Sequence, residues 1–129
     1  MRVGGSGVRD LEEQDLGEVL DIFYARLGED DVLRSFFEHL DMAEHIPRIE
    51  AFWATIVFGS RRYADNAFAP HQRMQGLTGE HFSRWIDALE TVLDARFQGP
   101  ATDRMKSAAH RIAYSMQLRL GIVPFAGYH

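Results

Sequence analysis

Apolar side chains recur along this chain at intervals of three and four and nowhere alternate, a spacing that predicts helices throughout. Leu16, Val19, Leu20, Phe23 and Leu27 form one stripe, with Tyr24 beside it so that its hydroxyl can point inward. Asp10 is placed to cap this first helix, with Glu13 at the third helical position. After the acidic turn Glu29-Asp30-Asp31, Leu33, Phe36, Phe37 and Leu40 predict a short second helix. Asp41 and Glu44 repeat the capping pattern ahead of a third, in which Pro47 is tolerated near the first turn. His45, Ile49, Phe52 and Ile56 share one face there, with Trp53 and Val57 alongside. The stretch after Phe58 reads as a loop, and Pro70-His71 opens at most two turns before Gly76 and Thr78-Gly79. Thr78 caps a long helix carrying Phe82, Trp85, Ile86, Leu89, Val92, Leu93 and Phe97, which Gly99-Pro100 ends. Asp103 begins the last, with Met105, Ala108, Ala109, Ile112, Ala113 and Met116 inward.

The pattern predicts an all-α domain of four to six helices. Its expected bounds are a flexible arm over 1–9, where Gly4, Gly5 and Gly7 leave the backbone unrestrained, a domain over 10–121, and a loose tail over 122–129. A chain of 129 residues, 46% hydrophobic and 26% charged, has enough apolar surface for one core. The net charge of −5 argues against nucleic acid and anionic lipid as partners. The longest apolar run, Phe52 to Phe58, falls far short of the roughly 20 residues of a membrane span. With no signal-peptide core at the amino end, a cytoplasmic location is expected.

The absence of cysteine excludes disulfides, thiolate metal sites and covalent haem attachment. Phosphate-binding glycine loops, H-E-x-x-H, paired E-x-x-H and G-x-S-x-G are also missing. Two histidines stand out, His45 on the apolar face of the third helix and His71 just after a proline. If the intervening segment folds back, their imidazoles face each other across a flat cavity in which a planar cofactor such as haem fits. Each histidine taken alone is more often a core or loop residue than a ligand, and the adjacent phenylalanines suit core packing as well as a ligand wall. On residues alone, a ligand pocket and a plain helical interaction module both remain open.

The order Phe23-Tyr24, Phe36-Phe37, His45-x-x-x-Ile49-x-x-Phe52-Trp53, Arg62-Tyr63, Pro70-His71 and His81-Phe82-x-x-Trp85 resembles a truncated haemoglobin of group III. The resemblance runs from about Leu11 to Leu120. Groups I and II carry paired glycines at helix junctions, whereas Gly4-Gly5 lies outside the helical body here.

The resemblance implies a truncated globin fold, a two-over-two helical sandwich around non-covalently held haem b. It makes His71 the proximal ligand of the iron. The distal residues fall on Tyr24, His45 and Trp85, the aromatic wall on Phe37, and the rest of the pocket lining on Ile49, Phe52 and Trp53. Arg48, Arg62 and Tyr63 are its candidates for the haem propionates. It further implies dioxygen and other diatomic ligands (NO, CO) or peroxide, with a redox or detoxifying role of peroxidase-like or nitric oxide dioxygenase type. Such a role needs a separate reductase, since the chain has no flavin or nicotinamide motif. A gas sensor or storage protein without turnover is the alternative, and a haemless helical adaptor a more distant one.

Overall fold

The computed structural model describes residues 8–38, 41–60 and 77–121. A 3₁₀ turn, Glu13–Asp15, leads into α1 (Leu16–Glu29), followed by α2 (Arg34–Phe37), α3 (Met42–Phe58), α4 (Gly79–Asp94) and α5 (Pro100–Arg119). α1 packs on α3 and α4, and α5 packs on α4 and α3, so two helix pairs lie one over the other. This matches the two-over-two sandwich that the resemblance implies. Among the described residues there is no strand, only an isolated bridge between Arg9 and Phe97.

The predicted stripes fill the core. Leu16, Val19, Leu20, Phe23 and Leu27 are buried against Leu89, Val92 and Leu93 of α4 and Met105, Ala108 and Ala109 of α5. The alanines let α5 lie close to its neighbours, because a methyl group is all that separates the backbones. A second, smaller cluster joins Phe82 and Ile86 to Ala113 and Met116 at the other end of the α4/α5 pair.

Four predicted details are corrected. Asp10 does not cap α1; Glu12 N–H donates instead to Asp15 Oδ2 at 2.8 Å to start the 3₁₀ turn. The Asp10 carboxylate crosses to the head of α5, accepting from Ala101 N–H at 2.9 Å and from Thr102 N–H at 2.9 Å and its hydroxyl at 2.8 Å. α5 therefore begins at Pro100, not Asp103, with Gly99 as its N-cap. Phe97 lies beyond α4, where Gln98 N–H donates to Arg9 O at 2.9 Å. Pro47 is the sixth residue of α3 rather than part of its first turn, so the bond its N–H would make to Ala43 O is absent.

Of the predicted arm, residues 1–7 lie outside the described residues, as does the 122–129 tail; Arg9 is held by Asp15 at 2.7 and 2.8 Å. Gly99 sits at φ 149°, and a Cβ there would lie 2.5 Å from Asp10 Cγ. Gly99→Ala must therefore strain the backbone and push the carboxylate off α5. A loss of at least about 1–3 kcal/mol in urea-unfolding free energy is expected.

Candidate functional site

α3 has two adjacent apolar faces but only one goes to the core. Asp41 starts the helix by accepting from Ala43 N–H at 3.1 Å, and Gly59, at φ 73°, ends it. In between, Trp53 (2% exposed), Ala54 and Val57 form the buried stripe. The neighbouring line of His45, Ile49 and Phe52 is half-buried, and Ile56, expected inward, is 45% exposed. The sequence reading centred the inner face one step around the helix from where the core lies. An apolar helix face left over after the core is filled is the kind of wall a flat, largely apolar ligand takes.

Aromatic side chains gather at the end of that face. The Tyr24 ring stands edge-on to His45, with centroids 5.0 Å apart and planes at 87°, and to Phe37 at 5.7 Å. Phe23 links Tyr24 (5.2 Å) to Trp85 (5.9 Å). Edge-to-face packing fixes ring orientation and so aims the polar tips. Tyr24 is 9% exposed, and burial pushes its phenol well above the ordinary tyrosine range. The hydroxyl is thus a proton-bearing donor at any physiological pH. His45 Nε2 is also sealed from solvent, while Trp85 is half-buried.

The supports of this cluster come from charged turns. Asp30 accepts from Val32 N–H at 2.8 Å and Leu33 N–H at 3.1 Å, holding the turn that presents α2, and Arg84 of α4 reaches the same carboxylate at 3.1 Å. Burial works to raise the Asp30 carboxyl, but these backbone bonds and the guanidinium outweigh it and hold it below its usual range. At the start of α4, Thr78 N–H donates to His81 Nδ1 at 2.9 Å, and the His81 ring meets Phe36 edge-on at 4.9 Å. The predicted Thr78 cap is therefore completed by a histidine. α2 is tied to α4 at both ends.

Tyr24, His45, Phe37 and Trp85 are brought into one connected group, with Ile49 and Phe52 on the half-open face of α3. Trp53 belongs to the core and touches Phe52, ring centroids 5.4 Å apart. Arg48 is on the exposed side, 3.6 Å from Glu44. Arg62, Tyr63 and His71 lie outside the described residues. Phe23 was assigned only to the core, yet it also bridges Tyr24 and Trp85. Its position directly before Tyr24 was the available signal.

This donor set fits haem. The surroundings are apolar and aromatic, as a porphyrin face requires, and the side chains gathered there bring a phenol O–H, an indole N–H and an imidazole.

Comparison with known proteins agrees with the geometry. The model of the family described as bacterial-like globin matches residues 11–118. A group 1 truncated hemoglobin of Synechocystis sp. is 32% identical over 97 residues, which cover 71% of this chain and 72% of that protein. The crystal structure of a group III truncated hemoglobin from Campylobacter jejuni superposes with a TM-score of 0.76 at 22% identity, covering 85% of this chain and 91% of the other. The chain belongs to the bacterial-like globin family and has the truncated globin fold. Haem-based binding of small ligands comes with that family. None of the described helices is long and apolar enough to cross a membrane.

Proposed function

We propose that this protein is a cytoplasmic group III truncated haemoglobin whose domain spans 10–121 and which holds haem b through His71. Haem iron supplies the binding of dioxygen, NO, CO or peroxide. The chain's own residues set how firmly such a ligand is held. Tyr24 donates its buried O–H to the electron-rich end of the ligand, Trp85 donates its indole N–H, and His45 donates or gates from the α3 side. Phe37, Ile49 and Phe52 exclude water from that donor set, and Arg48, Arg62 and Tyr63 pair with the propionates.

The observation that carries this reading is the buried Tyr24 ring set edge-on against His45, in a ring cluster that reaches Trp85 through Phe23. Strong donors retain oxygen, and slow release suits chemistry on the bound gas better than delivery. The role is therefore peroxidase-like or dioxygenase-like, with electrons from a separate reductase. The group III assignment rests on the order of motifs from Phe23-Tyr24 to Trp85, supported by the absence of paired glycines at helix junctions, because the two named relatives belong to different groups.

The deciding experiment is the visible spectrum of the protein reconstituted with hemin, before and after dithionite, beside His71→Ala. A sharp Soret band in the wild type, lost or displaced in the variant, is expected. An identical band in both would remove His71 as ligand, and no specific band at all would favour the adaptor reading.

A further inference from the structure

The hydrogen bond that starts α4 fixes which form of His81 the fold uses. His81 is the third residue of the helix, and its Nδ1 accepts the Thr78 N–H at 2.9 Å, with the Thr78 hydroxyl also 2.9 Å away. A backbone N–H can only donate, so Nδ1 bears no proton and the ring is the neutral tautomer protonated on Nε2. Glu or Gln ordinarily fills this capping position, and either accepts at neutral and mildly acid pH alike. An imidazole makes the same bond but loses it on protonation. Two N–H groups would then face each other, and a positive charge would sit at the positive end of the helix dipole.

What the ring holds lies next to the distal aromatic group. It meets Phe36 of α2 edge-on, centroids 4.9 Å apart, and the next residue, Phe37, packs edge-on against Tyr24 at 5.7 Å. α2 is a single turn, Arg34–Phe37, so a shift of Phe36 carries Phe37 with it. Its other tie to α4 is the ion pair of Arg84 with Asp30. The charged groups on the elements that meet here are Glu80 and Arg84 on α4, Asp30 and Asp31 in the preceding turn, and Arg34 and Glu38 on and beside α2. Side chains of these types ordinarily keep their charge from pH 5 to 8, which leaves the imidazole to respond. Farther along α4, His110 lies 2.9 Å from Glu90, a contact that a proton strengthens rather than breaks. We propose that His81 is a positioning residue of the distal wall and a proton-released latch: the neutral imidazole holds α2, and through it Phe37 against Tyr24, on the head of α4, and protonation lets it go. Its effect on ligand release rests on the haem function proposed above.

The test reads oxygen dissociation from the haem-loaded full chain, and hydrogen exchange at the Thr78 amide corrected for its intrinsic pH dependence, at pH 8 and pH 5 in wild type, His81→Gln and His81→Ala. In wild type, acid should quicken oxygen release about three- to fivefold, the equivalent of losing one helix cap, and strip the Thr78 amide of its protection. His81→Gln keeps an acceptor that does not titrate, so it should match wild type at pH 8 and hold that rate at pH 5. His81→Ala should release oxygen fast at both. Acid quickening that persists in His81→Gln would overturn the inference and assign the response to another imidazole, and a wild-type Thr78 amide equally protected at both pH values would overturn it as well. A wild type that takes up no hemin would overturn the haem function alone, and the Thr78 exchange would still decide the latch.

Discussion

Replacing Tyr24 with phenylalanine is expected to speed dioxygen dissociation from the haem-loaded protein by roughly 10- to 100-fold, the consequence of losing one hydrogen bond to a partly charged acceptor worth about 1.5–3 kcal/mol. The variant removes one oxygen atom and leaves the ring. Its edge-on contacts with His45 and Phe37 and its tilted contact with Phe23 depend on the ring alone, so the fold and the pocket wall persist. Stopped-flow measurement of oxygen release after reduction is the check, and an unchanged off-rate would take the tyrosine out of the mechanism. Trp85→Phe should act in the same direction. Because Phe23 touches both rings, the two substitutions share a neighbour, and the double variant should depart from the sum of the single effects.

The Tyr24 contribution should not change with pH across the neutral range. Burial keeps the phenol protonated well above pH 10, so the donor is present throughout. A pH dependence of oxygen release between pH 5 and 8 would therefore point to an imidazole, the side chain that ordinarily titrates there.

Local periodicity carried most of this architecture. The stripes of α1, α4 and α5 were legible because each helix buries one face at a spacing of three and four, and burial is the term that dominates. α3 was harder to read for a physical reason: it is apolar on two neighbouring faces. Periodicity locates apolar side chains but cannot say which of two faces meets the core and which faces a ligand. Hence Ile56 read as inward and is exposed, while Trp53, placed only beside that face, lies in the core. The connected group of Tyr24, His45, Phe37 and Trp85 was legible only through family resemblance, because these residues come from four separate helices. Gln117 did not read as a core position, since a glutamine on an alanine-rich helix looks like a solvated side chain, yet it is fully buried.

The head of α5 shows the other limit of local reading. Asp103 is a reasonable cap by type, but the cap that operates is Asp10, some ninety positions earlier in the chain. Its carboxylate accepts four hydrogen bonds, from Leu11 N–H, Ala101 N–H, Thr102 N–H and the Thr102 hydroxyl. It closes the amino-terminal strap onto a helix N-terminus, where a negative charge is favoured. Burial works to raise this carboxyl, but the four bonds outweigh it and hold it at about 2.

Asp10→Ala leaves three N–H groups and a buried hydroxyl without this partner, and a loss on the order of 2–4 kcal/mol is expected from cap and charge together. In thermal unfolding that corresponds to a fall in Tm of about 10 °C. Acid dependence separates this cap from simple packing. The group is more acidic folded than unfolded, so its stabilisation is fully present above the unfolded value near 4 and is lost as pH falls through about 2. The gap between wild type and Asp10→Ala should accordingly narrow between pH 4 and pH 2. A gap that stays constant over that range would mean that the carboxylate's charge contributes nothing, and that the variant suffers only from lost contacts.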